Sequence, residues 1–294
     1  MQPGFQARDR CPVCDARKRR ELCAIRFDDP RMAEFLDGFY RGRLPLDALH
    51  GGVYRVVACG RCQFVFQDPV LDDSGMHLLY EHWIDDDRSL RKKQSAEQTL
   101  KRRYAGQLQS VAALLHGSPA TQRLLEFGMG WGYWCRAAHE YGFDVSGFEL
   151  SAARRAYARE MGVRVIDELP PPGARFDCIY SSQVFEHLPE PRQTLRALCA
   201  RLAPGGLVYL RVPDGRGVAQ TLTTRGWSPG MQAIHPLEHI NCFTRRTLIA
   251  LAASQGLRRV DPPPRLAWRS PWRSLKREIS DRYLNTHLFF RLVD

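Results

Sequence analysis

The sequence predicts an α/β fold: a parallel sheet covered by helices on both faces, preceded by a small cysteine-bearing domain. Three observations carry the prediction. Strand-like and helix-like segments alternate from Arg123 onward, a glycine-rich turn follows the first of those strands, and two Cys-x-x-Cys pairs lie before residue 63.

Composition sets the outer bounds. At 294 residues the chain is long enough for one α/β domain of ordinary size and a small satellite. Its 44% hydrophobic and 26% charged content is that of a soluble globular protein. No apolar run approaches the roughly 20 residues that span a bilayer, which excludes a helical membrane protein, and no membrane partner is expected. Met1 to Arg10 is polar, without the apolar centre of a signal peptide, so the expected location is cytoplasmic. Nine cysteines, an odd number, do not suggest a disulfide framework. The formal charge of +11 suits an anionic partner such as RNA, a nucleotide or a nucleotide-linked sugar, and equally an arginine-rich solvated surface.

The first domain is drawn over residues 1–85. Met32, Phe35, Leu36 and Phe39 fall at helical spacing between Asp29 and Tyr40. The β-branched and aromatic runs Gly52 to Ala58 and Gln63 to Phe66 read as a hairpin whose tip is Cys59-Gly60-Arg61-Cys62. Residues 86–120 form a connecting segment with a charged helix from Arg88 to His116. Leu100, Tyr104, Leu108, Val111 and Leu115 make its apolar stripe and Gly117 its stop. Its basic clusters, Arg91 to Lys93 and Lys101 to Arg103, read as a solvated face.

The last domain is drawn over 121–294. Strands are expected at Arg123 to Phe127, Asp144 to Leu150, Val163 to Ile166, Phe176 to Ser181, Gly206 to Val212, Leu257 to Val260 and His287 to Val293. Helices fall near Tyr133 to Tyr141, after the capping Ser151, from Pro191 to Leu202 and from Thr244 to Ser254, with a loop over Pro213 to Cys242. Ligands of such sheets bind at the carboxyl ends of the strands.

The first of those ends reads Glu126-Phe127-Gly128-Met129-Gly130-Trp131-Gly132. Glycines let the chain turn tightly and let a ligand approach without a Cβ in the way. The acidic lead residue would repel a pyrophosphate but suits an ammonium or a sulfonium. Glu149, at the end of the second strand, is placed to accept hydrogen bonds from both hydroxyls of a ribose.

Cys11-Pro12-Val13-Cys14 and Cys59-Gly60-Arg61-Cys62 each put two thiolates on one tight turn. Together Cys11, Cys14, Cys59 and Cys62 would close a tetrahedral four-sulfur Zn2+ site of the structural kind, despite a 44-residue gap between the pairs. Bound zinc with four thiolates would lower the net charge by two. The other cysteines lie in or beside apolar segments and read as core thiols.

Leu124 to Gly132, Glu149, the run Phe176 to Pro191 with Ser182-Gln183-Val184-Phe185-Glu186-His187, and Leu202-Ala203-Pro204-Gly205-Gly206 occur in order. Together they resemble a class I S-adenosylmethionine-dependent methyltransferase. The resemblance implies a Rossmann-like seven-stranded sheet with its last strand antiparallel, and S-adenosylmethionine as cofactor. It implies that Glu126, Gly128, Gly130 and Gly132 hold the amino-acid part of that cofactor and Glu149 its ribose. Gln183 and Phe185 would line the methyl-donor pocket, and Asp167, after the third strand, would lie near the adenine.

A zinc ribbon before such a core is similar to bacterial enzymes that methylate nucleotide-linked sugars. Among these, zinc-containing sugar C-methyltransferases carry a Glu-His pair after the fifth strand, which Glu238-His239 matches, although Pro236 and Leu237 stand where those enzymes have Tyr-His. The resemblance implies a small-molecule acceptor. His239 is the first candidate base, His187 the second, and Glu238 would orient His239 or hold a substrate hydroxyl. Two other readings stand beside this one: an RNA methyltransferase gripping its substrate through the ribbon and basic surface, and a non-catalytic binding module. Against the first, no Asn-Pro-Pro-aromatic motif follows the fourth strand.

Overall fold

The computed structural model of the chain describes residues 3–264 and 284–293. Residues 1–2, 265–283 and 294, which the domains drawn over 1–85 and 121–294 take in, lie outside the described residues. Two compact units separate. The sheet unit comprises Leu90–Phe185, Arg192–Val212 and Leu248–Asp294. The cysteine unit comprises Met1–Ser89, Glu186–Pro191 and Pro213–Thr247.

In the sheet unit the strands are β1 (Arg123–Phe127), β2 (Asp144–Phe148), β3 (Val165–Ile166), β4 (Phe176–Ser182), β5 (Leu202–Arg211), β6 (Leu257–Val260) and β7 (His287–Leu292). They form one seven-stranded sheet in the order β6-β7-β5-β4-β1-β2-β3. Neighbours from β5 through β3 run parallel, whereas β7 is antiparallel to both β5 and β6. The sheet is therefore mixed, as the resemblance implies, and not wholly parallel. Its first helices are α1 (Glu97–Leu115), α2 (Tyr133–Glu140) and α3 (Ala152–Glu160), the last capped by Ser151. Leu100, Tyr104, Leu108 and Val111 of α1 share a core with Leu124, Trp134, Cys178 and Leu207. Each such side chain contributes about 1.5–3 kcal/mol by leaving water.

The single helix expected from Arg88 to His116 is two, Asp86–Ser95 and α1, parted at Ala96. Ser95 donates its hydroxyl to the Lys92 carbonyl at 3.1 Å, and such back-bonding competes with the helical ladder. Leu114 rather than Leu115 completes the buried stripe.

The cysteine unit is built on a four-stranded antiparallel sheet in the order Asn241–Cys242, Val65–Gln67, Val53–Cys59, Arg19–Arg26. Val53–Cys59 and Val65–Gln67 are the expected hairpin. The helix Pro30–Tyr40 is capped by Asp29, which accepts from the Arg31 and Met32 amides. Its buried Met32, Leu36 and Tyr40 pack with Tyr54, Val56 and Trp227. The stretch read as a loop from Pro213 to Cys242 contains a helix, Val218–Arg225, held by Val218 and Leu222 one turn apart. Among the described residues no helix is long and apolar enough to cross a membrane.

Candidate functional site

In the sheet unit, β1 carries the buried Leu124 and Leu125 and, one residue before its end, Glu126, which is only 5% exposed. The three glycines that follow all take positive φ, at 73°, 55° and 75°. They do so for different reasons. A Cβ on Gly128 would meet Val184 at 2.4 Å, and one on Gly132 would meet Ala158 and Val163 at 3.0 and 3.1 Å. A Cβ on Gly130 would meet nothing within 4 Å, so open space lies above the middle of the turn. That is a cradle a ligand can enter.

The turn is tied to the end of β2. Gly128 and Met129 both donate to the Phe148 carbonyl, at 2.8 and 3.0 Å, and Gly130 donates to Glu149 Oε2 at 2.9 Å. Glu149 Oε1 accepts from the amides of Leu150 and Ser151 at 2.9 and 3.0 Å. A carboxylate offers about four lone-pair sites, so Glu149 keeps capacity for a ligand hydroxyl. Glu126 Oε2 accepts from the Cys135 amide in the first turn of α2 at 3.0 Å. Burial pushes its carboxyl up to about 8.

Gln183 follows β4 in a left-handed conformation with φ of 58°, its amide donating to the Arg211 carbonyl at 2.8 Å. Such strain in a non-glycine residue collects at functional sites. Gln183 is exposed, whereas the Phe185 ring is 1% exposed and packed inside. Asp167, just past β3, is exposed and bonded to Arg159 at 2.6 and 2.7 Å, with Arg155 at 3.3 Å.

The remaining candidates lie in the cysteine unit. Ligand-type atoms of Glu186, His187 and His239 all fall within 4.8 Å of one another. His239 Nδ1 lies 2.5 Å from the Gln232 carbonyl, which assigns the proton to Nδ1 and leaves Nε2 as an acceptor. Burial holds this imidazole below its usual value. Glu238 Oε1 accepts from Tyr40 Oη at 2.9 Å. The loops carrying these groups are pinned together. Asn241 donates its amide to the Glu186 carbonyl at 3.0 Å and its side chain to the Leu188 carbonyl at 2.6 Å. Arg8 reaches the Pro189 carbonyl and Asn241 Oδ1 at 2.7 and 2.9 Å. Gln67 Nε2 donates to the His235 and His239 carbonyls at 2.6 and 3.1 Å.

Sequence reasoning missed Glu186 and the bracing Arg8. The signal for Glu186 was present, since Glu186-His187 repeats the dipeptide of Glu238-His239, although Glu81-His82 carries it too. The same unit has a cavity of about 600 Å³ lined by Ile25, Met32, Phe35, Phe39, Trp227 and Pro229. Behind its wall, the Phe39 ring packs against that of His235, with centroids 4.3 Å apart.

The four cysteines converge. The sulfurs of Cys11 and Cys62 are 3.6 Å apart, those of Cys14 and Cys59 3.5 Å, and all four lie within 4.8 Å of one another. A tetrahedral zinc with bonds of about 2.3 Å sets its sulfurs roughly 3.8 Å apart. The amides of Arg61 and Cys62 point at Cys59 Sγ, at 3.3 and 3.5 Å, as donors to a thiolate would.

A seven-stranded sheet of this order, with an acid-led glycine turn tied to a second acid one strand away, defines the class I methyltransferase frame. Residues 96–261 match the methyltransferase domain family, and the chain belongs to that family. It is 33% identical over 106 residues to the ubiquinone biosynthesis O-methyltransferase of Bordetella avium, covering 32% of this chain and 44% of that one. The enzyme of the same name from Alkalilimnicola ehrlichii is 30% identical over 173 residues, covering 51% and 69%. The chain thus spans about half the length of the curated relatives it matches. These relatives carry the name of O-methyltransferases, not of the sugar enzymes that Glu238-His239 resembles. Among solved structures, an S-adenosylmethionine-dependent methyltransferase from Mesorhizobium loti aligns at 18% identity and a TM-score of 0.41, covering 60% of this chain and 92% of that one.

Proposed function

We propose that the chain transfers a methyl group from S-adenosylmethionine to a hydroxyl of a small-molecule acceptor. The observation that carries this reading is the glycine turn with open space over Gly130, flanked by Glu126 and bonded to Glu149. The donor, when bound, supplies an electrophilic methyl sulfonium, and the chain's task is to position it. Glu126 and the turn take the amino-acid part, Glu149 the ribose, Gln183 and Phe185 the methyl end, and Asp167 the adenine side. His239, then His187, are the acceptor-side groups suited to an ionising hydroxyl, with Glu238 beside them. Cys11, Cys14, Cys59 and Cys62 hold a structural Zn2+, to which their sulfur spacing is matched.

The acceptor we favour is a nucleotide-linked sugar, supported by the Glu238-His239 resemblance and the charge of +11. A second reading, a phenol with an apolar body, is favoured by the aromatic cavity lined by Phe35, Phe39 and Trp227 and by the O-methyltransferase name of the relatives. Incubation with labelled donor and, separately, nucleotide sugars, substituted phenols and total RNA should label a small molecule. Label in RNA alone would overturn both readings, and no label with S-adenosylhomocysteine failing to bind would sink the methyltransferase activity.

Glu126 gives this reading a pH signature. Raised to about 8 by burial, its carboxyl is mainly protonated in the free protein at neutral pH. A cationic amino group beside it favours the ionised form. Binding of S-adenosylhomocysteine should therefore release a fraction of a proton at neutral pH, and affinity should rise with pH until it levels above about 8. Calorimetry in buffers of different ionisation enthalpy measures this. Glu126→Gln should abolish the release, and an unchanged release in that variant would assign it to another group.

A further inference from the structure

We infer that Glu186, His187 and His239 form a binding site for a divalent transition-metal ion, separate from the four-cysteine site. The first argument is the state of Glu186. It is 0% exposed, and among the described residues neither carboxylate oxygen has a hydrogen-bond partner. A buried carboxylate without hydrogen bonds is destabilised, and a cation bound beside it relieves that.

The second is geometry. His187 Nε2 lies 4.0 Å from Glu186 Oε1, and the three ligand atoms share a sphere in which no separation exceeds 4.8 Å. Three ligands at about 2.1 Å from one ion stand roughly 3.0–3.6 Å apart, so side-chain movements of about an ångström close the set. The third is the tautomer. His239 donates its Nδ1 proton to the Gln232 carbonyl, the outer contact that metal-bound imidazoles characteristically make, which leaves Nε2 as its ligand atom. The backbone hydrogen bond from Asn241 to Glu186 fixes the two loops in register.

Two imidazoles and one carboxylate leave coordination positions open, the pattern of a working rather than a structural site. The site rests on the cysteine unit alone. The role given to its ion rests on the hydroxyl-acceptor reading above and takes the place of the histidine base: a hydroxyl coordinated there would lose its proton to solvent more readily, with the imidazoles as ligands.

The test uses the full chain with its thiolate site zinc-loaded. Titrating Mn2+ while following the electron paramagnetic resonance of the free ion should show about one ion bound per chain, since hard Mn2+ does not compete for four thiolates. Glu186→Gln and His239→Ala should each weaken binding by about tenfold or more. Glu186→Gln keeps the side chain's volume, so it should melt close to the wild type and separate lost binding from lost folding. Co2+ in place of Mn2+ should give the weak visible bands of nitrogen and oxygen ligands without a thiolate-to-cobalt band. Wild-type protein that leaves the free Mn2+ signal undiminished, or variants that bind as the wild type does, would overturn the site. Mn2+ binding without methyl transfer would leave the site standing and remove only the acceptor reading.

Discussion

Serine at Cys59 is expected to unfold the cysteine unit. Cys59 ends the strand Val53–Cys59, its amide donates to the Phe64 carbonyl at 2.8 Å, and Gly60 donates to the Lys18 carbonyl at 2.8 Å. The knuckle thus joins the hairpin to the strand Arg19–Arg26 and to the turn carrying Cys11 and Cys14. Four-ligand zinc sites in small domains bind with an apparent 10–16 kcal/mol or so. A whole domain is stable by only about 5–15 kcal/mol, so losing half the metal's contribution, about 5–8 kcal/mol, is comparable to the whole stability of such a unit. One zinc per chain is expected in the wild type and well under one in Cys59→Ser. Hydrogen exchange should show the amides of Val53–Cys59 and Arg19–Arg26 losing protection, as should a strong chelator, with Zn2+ restoring it. Freshly purified wild type that holds no metal and is fully protected would show that the four sulfurs converge without an ion.

What the sequence made legible follows from where each signal resides. Leu124-Leu125-Glu126 ending in three glycines is a local pattern, and it predicts both β1 and the turn because each residue's reason lies within a few neighbours. The strand Arg19–Arg26 has no such pattern, since three charged residues open it and Leu22 is its only fully buried side chain. Its conformation is set by pairing with Val53–Cys59, in a register that puts Arg19 opposite Cys59. That register also explains the 44-residue gap, because the intervening chain folds back and returns Cys14 to the side of Cys59. The helix Val218–Arg225 was hidden by its threonines. The Glu186 cluster was hidden because its third member comes from 52 residues further along the chain. Local chemistry is readable from sequence. Convergence of distant loops is readable where paired cysteines announce it, and not where, as at Arg8, one side chain accomplishes it.

Removing the carboxylate of Glu149 is the change expected to damage donor binding most. In the free protein this group accepts from three backbone amides, at Gly130, Leu150 and Ser151. It therefore shapes the glycine turn, and in the proposed donor site it also takes the ribose. Glu149→Ala loses the ribose contacts and also frees the Gly130 amide. Hydrogen bonds to a charged group contribute about 1.5–3 kcal/mol. The combined loss should weaken S-adenosylhomocysteine binding by about 2–3 kcal/mol, roughly 30- to 150-fold in Kd. Glu149→Gln retains one acceptor oxygen and should fall between. Calorimetry on the three proteins reads the affinity, and exchange of the Gly130 amide reports separately on the turn. An affinity unchanged in Glu149→Ala, with Gly130 exchanging faster, would leave Glu149 as a brace of the turn alone and move ribose recognition elsewhere. A loss in affinity with Gly130 still protected would assign the loss to direct contact with the ligand.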